Sequence, residues 1–228
     1  MYYRLQRASH ACTISGTPAM THRFLLPLAL LLVLVARADA AARGHALFAA
    51  CVACHGAAAT GNAALQAPAL AGQDAAYLER QLRNFRAGVR GGDGAEASAV
   101  QMRGMAMAIA TDGDVAELAA WMASLPRPAL SAAVAGDLRE GNNLWQGKCA
   151  ACHGVTGEGY PALNAPRLTG LDSAYLRRQF LAFREGRRGA HPADRYGRQM
   201  AMMAKTIDAG AELDAVLSWL RAQPPGAQ

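Results

Sequence analysis

The chain has 228 residues, 52% of them apolar but only 6% aromatic, and 18% charged. So large an apolar share with so few charges excludes an intrinsically disordered chain, and abundant Ala, Leu, Arg, Gln and Met beside few β-branched residues favour helix over sheet. The formal charge of +6 falls to +3 from Ala41 onward, where 19 basic residues face 16 acidic ones, too small a surplus to indicate nucleic-acid binding. In chain order the first element is a targeting segment. Residues 24–35 read FLLPLALLLVLV, with Arg23 before them and the small-residue triplet Ala38, Asp39, Ala40 after. This is a secretory signal pattern, with cleavage expected after Ala40, so residues 1–40 direct export to the periplasm and Met20 offers a second start. The run is shorter than the ~20 apolar residues a spanning helix needs. No comparable run follows, so no transmembrane span is expected after cleavage.

The rest of the chain is one unit written twice at an offset of 98 residues. Cys51, Cys54 and His55 align with Cys149, Cys152 and His153, and Pro68, Leu70 and Gly72 with Pro166, Leu168 and Gly170. DAAYLERQLRNFRAG from Asp74 matches DSAYLRRQFLAFREG from Asp172, Met102 and Met105 match Met200 and Met203, and Trp121 matches Trp219. The period is too long for a solenoid, so two tandem lobes are expected, 41–130 and 131–228, joined near SLPRPALSAAVAG. In each lobe a helix is expected from an N-capping Asp74 or Asp172 to just before Gly88 or Gly186, with Tyr77, Leu78, Gln81, Leu82 and Phe85 on one stripe. A second helix carries Val115, Leu118, Ala119 and Met122, and its copy lies around residues 213–220; Gly-rich loops such as GVRGGDGAEASA separate the helices. Phe48 stands three residues before Cys51 but Trp145 four before Cys149, so the helix entering each motif is expected to differ by one residue. Lobe two holds the net positive charge, including Arg184, Arg187 and Arg188: a solvated face, or a docking face for an acidic redox partner.

The chemistry lies in CVACH, 51–55, and CAACH, 149–153. Cys-X-X-Cys-His marks c-type haem attachment: cysteines three apart on a helical turn face one way and can reach the two vinyl groups of one porphyrin, and the next residue, His, is carried beneath the iron. A disulfide within each pair leaves the repeated His unexplained, a thioredoxin-like dithiol needs a βαβ context, and zinc needs Cys pairs about 15–20 residues apart. Two covalently attached haem c groups are therefore expected. The sixth iron position calls for a soft thioether if the protein transfers electrons. QMRGMAM and QMAMMAK supply Met102 and Met200, each behind a Gln, as first choice, and Met105 and Met203 as the alternative; His191 is a rival in lobe two without a counterpart in lobe one.

These residues resemble the diheme class I cytochromes c, most closely the cytochrome c-four family, over nearly the whole chain after residue 40. The resemblance implies an all-α fold of two class I cytochrome c-like lobes, each wrapped around one covalently bound haem. It implies thioethers at Cys51, Cys54, Cys149 and Cys152, proximal ligands His55 and His153, and distal ligands Met102 and Met200. Pro68 and Pro166 would accept the proximal imidazole N–H through their carbonyls. One residue more than in the family pattern follows Met102 before the last helix of lobe one. The expected function is a periplasmic carrier of single electrons from a quinol:cytochrome c oxidoreductase toward a terminal oxidase or reductase, with redox proteins or membrane respiratory complexes as partners. The alternative is a diheme oxidoreductase acting on a small inorganic substrate such as thiosulfate or peroxide.

Overall fold

The computed structural model describes residues 39, 41–128 and 136–224. The leader expected over 1–40 lies outside the described residues except for Asp39, and so does the lobe boundary expected at 130/131. Among the described residues the regular structure is helical, with two isolated β-bridges, Asn62 to Ala67 and Tyr160 to Ala165, and no strands. Lobe one contains a helix over 41–48 (α1), a 3-10 turn Ala49–Cys51, and helices α2 (Val52–His55), α3 (Ala75–Arg86), α4 (Ala97–Met107) and α5 (Asp112–Ser124). Lobe two repeats them as α6 (Leu138–Lys148), α7 (Ala150–His153), α8 (Ser173–Arg184), α9 (Arg195–Met203) and α10 (Ala211–Ala222).

The long helices start and stop where their capping residues dictate. The Asp74 and Asp172 carboxylates accept the backbone N–H of Tyr77 and Tyr175, at 2.8 and 3.0 Å, and fix the first turns of α3 and α8. Beyond the last turns stand Gly88 and Gly186, at φ +71° and +75°. Thr111 and Asp114 form a capping box at α5; in lobe two the Asp208 carboxylate accepts the N–H of Gly210 and of Glu212, and the Glu212 carboxylate accepts the Asp208 N–H, around the start of α10. The stripe on α3 buries Leu78, Leu82 and Phe85 against Val115, Leu118 and Met122 of α5 and Phe48 of α1. In lobe two Leu144 and Trp145 of α6 meet Leu213, Val216, Leu217 and Leu220 of α10, with Trp145 and Trp219 stacked at 5.2 Å.

Gly44 and Gly141 let α1 and α6 cross the last helices closely: a Cβ on Gly44 would strike the Glu117 carbonyl and Trp121, and one on Gly141 the Ala215 carbonyl and Trp219. These glycines lie seven and eight residues before Cys51 and Cys149. The extra residue is accommodated because α6 runs on to Lys148, whereas lobe one tightens into the turn Ala49–Cys51.

One element departs from expectation. The end of the Gly-rich stretch expected as a loop, from Ala97, is helical and continues through the first methionine run as α4, and the second methionine run lies on α9. On α4 the buried residues are the small Ala99 and Ala106, so no large apolar stripe marks this helix in the sequence.

The lobes touch reciprocally. Arg80 of α3 donates to the Asn164 side chain and carbonyl at 2.9 and 2.8 Å, and Arg178 of α8 to the Gln66 carbonyl at 3.1 Å. Each pair is the other displaced by 98 residues, the pattern of a pseudo-twofold interface. Gln73 adds a two-bond clasp on the Arg167 backbone, at 2.9 and 3.1 Å.

Candidate functional site

Each Cys-X-X-Cys-His motif forms one short helical turn, α2 or α7, ended by Gly56 or Gly154 at φ +76° or +84°. Cys51, Cys54, Cys149 and Cys152 carry no disulfide. Burial pushes the Cys51 thiol up, with Cys54 adding to it, and pushes Cys149 up to about 11. Neither is the depressed-pKa thiolate of a reactive dithiol centre.

The histidines are held by their neighbours in the fold. The Nδ1–H of His55 donates to the Pro68 carbonyl at 2.9 Å, and that of His153 to the Pro166 carbonyl at 2.9 Å. A carbonyl only accepts, so Nδ1 carries the proton and Nε2 keeps its lone pair. Burial lowers both pKa values, with the carbonyl bonds opposing, so the imidazoles are neutral ligands at neutral pH. The loop between each His and Pro is pinned from both ends. The Gly61 N–H donates to the His55 carbonyl and the Gly159 N–H to the His153 carbonyl, at 2.9 and 2.8 Å, and Gln66 and Asn164 turn the chain at φ +58°. Gly61 and Gly159, at φ +84° and +87°, lie so close to the returning strand of the loop that a Cβ would come within 2.6 Å of the Ala69 and Arg167 nitrogens.

Both motifs open on a cleft. In lobe one Cys51, Cys54, His55 and Pro68 share a cleft of about 1270 Å³, open mouth included, with Leu78, Leu82, Phe85 and Met102. In lobe two Cys149, Cys152, His153 and Pro166 share one of about 1450 Å³ with Phe180, Phe183, Leu217 and Met200. Met105 and Met203 line the same clefts; they stand 42% and 41% exposed, whereas Met102 and Met200 are half-buried. His191 is exposed, accepts the Ala193 N–H in a turn, and does not line the cleft. Among the described residues no three His, Cys, Asp or Glu side chains converge as a metal cage. Two thiols, a neutral imidazole with a free Nε2, a thioether and flat apolar walls are the donor set and cradle of a c-type haem.

The comparisons agree with this geometry. The model of the Cytochrome c family matches residues 41–126 and again 138–224. Cytochrome c4 of Azotobacter vinelandii is 37% identical over 164 residues, covering 67% of this chain and 76% of that protein. The chain belongs to the diheme cytochrome c4 family. It carries two covalently attached haem c groups and acts in electron transfer. A protein of Thiomonas intermedia named thiosulfate dehydrogenase electron acceptor is 35% identical over 186 residues, 77% of this chain and 79% of its own length. The solved structure of reduced recombinant cytochrome c4 from Pseudomonas stutzeri superposes with a TM-score of 0.64 at 26% identity, covering 81% of this chain and 98% of that one.

In this diheme cytochrome one polar group was not read as a unit from the sequence: Tyr77, Gln81, Arg90 and their copies Tyr175, Gln179 and Arg188, where the two clefts adjoin; Arg188, expected on a solvated or docking face, is instead half-buried there. Their signal was available, since all three repeat at the same offset, but Tyr77 and Gln81 fall on the apolar stripe of α3 and read there as packing.

Proposed function

We propose that the protein is a periplasmic carrier that takes single electrons from a quinol:cytochrome c oxidoreductase or another dehydrogenase and passes them toward a terminal oxidase or reductase. The observation that carries this reading is the pair of identical His–Pro bonds, each in an apolar cleft with a methionine-bearing helix in its wall. When bound, each haem supplies an iron that gains or loses one electron without making or breaking bonds in a substrate. The chain's own residues do the rest. Cys51 and Cys54, and Cys149 and Cys152, anchor the groups; His55 and His153 offer Nε2 with the ring orientation fixed by Pro68 and Pro166, which strengthens donation. The distal thioether is assigned to Met102 and Met200, the half-buried pair, over the more exposed Met105 and Met203, because the less exposed side chain better keeps water from the iron. The apolar walls exclude water and favour electron transfer over ligand exchange.

The relative named as an electron acceptor of a thiosulfate dehydrogenase supports a second donor, a thiosulfate-oxidising enzyme, and puts thiosulfate chemistry on the partner rather than on this chain. Among the described residues no helix is long and apolar enough to cross a membrane. The test is to purify the holoprotein, count haem per chain, and titrate it with carbon monoxide and cyanide. Two haems that resist both ligands at each iron are expected. One haem per chain, or ready binding at both irons, sinks the assignment, and turnover of thiosulfate or peroxide by the isolated protein favours the enzymatic alternative.

A further inference from the structure

Where the two clefts adjoin, four side chains close a ring. Arg90 donates to Gln81 Oε1 of its own lobe and to Gln179 Oε1 of the other, both at 2.8 Å; Arg188 donates to Gln179 Oε1 at 2.7 Å and to Gln81 Oε1 at 3.0 Å. Each guanidinium also lies over a phenylalanine of its own lobe, Phe85 at 4.5 Å and Phe183 at 4.4 Å. Arg90 and Gln179 are buried, and Arg188 and Gln81 half-buried. Among the described residues neither guanidinium is ion-paired to a carboxylate, and Arg90 Nε is buried without a hydrogen-bond partner. Of the acidic groups around the ring, Glu96 accepts from Gln179 Nε2 and pairs with Arg187, and Asp194 caps α9 while also attracting Arg188. A guanidinium stays protonated throughout the working pH range, and Arg188 also donates to the Tyr77 hydroxyl at 3.3 Å. Gln81, Gln179, Tyr77 and Tyr175 line both clefts, Arg90 the first and Arg188 the second.

We infer that Arg90 and Arg188, tied together through Gln81 and Gln179, are a shared positive charge that sets the reduction potential of both haems at once. A cation shielded from water acts over a longer range than one at the surface. An electron arriving in either cleft is attracted by both guanidiniums, since neither belongs to one lobe alone. The ring therefore raises both potentials, and a change made in one lobe reaches the haem of the other.

The inference rests on each cleft holding a haem, which haem content tests separately. The experiment is a redox titration of full-length holoprotein, following each haem by the NMR signals of its own methyl groups. In Arg90→Gln and Arg188→Gln both reduction equilibria are expected to weaken at least threefold, a fall of about 28 mV at 59 mV per decade. Arg90→Lys and Arg188→Lys, which keep the charge, are expected to retain most of both potentials. Gln81→Glu, which halves the ring's net charge without removing an arginine, is expected to lower both as well. A shift confined to the haem of the mutated lobe, equal losses in the Lys and Gln variants, or unchanged potentials in Gln81→Glu would overturn the proposal.

Discussion

A single backbone carbonyl does much to define each site. Pro68 O and Pro166 O accept from their histidines at 2.9 Å, so the tautomer and ring orientation are set before the metal is considered. On the other side the choice falls among methionines one helical turn apart. Met102→Ala and Met200→Ala are each expected to lower the potential of one haem and leave it covalently attached, because loss of a thioether removes the ligand that favours ferrous iron. Met105→Ala and Met203→Ala are expected to leave both potentials unchanged, and spectroelectrochemical titration of the four variants decides; a drop in the second pair alone moves the ligand one turn along α4 and α9. At this scale the sequence is legible wherever chemistry demands a fixed spacing, as in Cys-X-X-Cys-His. It is less legible for Gln81 and Arg90, which bond each other nine residues apart and take their remaining partners from the other lobe.

The helices show the same division. α3, α8, α5 and α10 announce themselves through caps and apolar stripes, whereas α4 and α9 hide because they bury alanine and glycine and turn two methionines each, Met102 and Met105 or Met200 and Met203, to a cleft. The loop that presents Pro68 depends on Gly61. Gly61→Ala is expected to cost about 1–3 kcal/mol or more, from a positive φ and a close approach to the Ala69 nitrogen, and to shift the potential of the first haem alone. Gly113→Ala is the control: in α5, with no close contact at its Cβ, it is expected to stabilise by about 0.5–1 kcal/mol and leave potentials untouched. Denaturant unfolding with redox titration checks both. A second device ties α1 to α5, where Arg43 donates to Asp114 and also pairs with Glu117 at 2.8 Å. Hydrogen bonds from Arg43 and Thr111 hold the Asp114 carboxyl below the usual carboxylate range. Its contribution is therefore fully present above the unfolded carboxylate pKa, about 3.9, and is lost as pH falls through the lower folded value. The stability gap between the parent and Asp114→Asn is expected to be constant at neutral pH and to close only in strong acid; a gap that closes near neutrality refutes it.

For the molecule as a whole, core and cleft are built from the same side chains. Leu78, Leu82, Phe85, Leu118 and Met122 form the buried cluster of lobe one and also line its cleft; Trp145, Leu213, Val216, Leu217 and Leu220 do both in lobe two. Only 6% of the residues are aromatic and much of the apolar share is Ala, so each lobe has little large side-chain volume to bury, and small domains have little burial in reserve. The haems therefore complete the two cores as well as carrying electrons. A chain in which Cys51, Cys54, Cys149 and Cys152 are all Ala is expected to keep helical far-UV circular dichroism but lose near-UV signal and cooperative unfolding, as a compact state without fixed packing does. With only Cys51 and Cys54 replaced, one haem per chain is expected, together with a single cooperative transition of roughly half the parent's unfolding enthalpy, since that enthalpy scales with the residues that unfold together. Calorimetry of the three proteins decides: a haem-free chain that melts cooperatively at the parent's midpoint would show that the protein cores suffice alone.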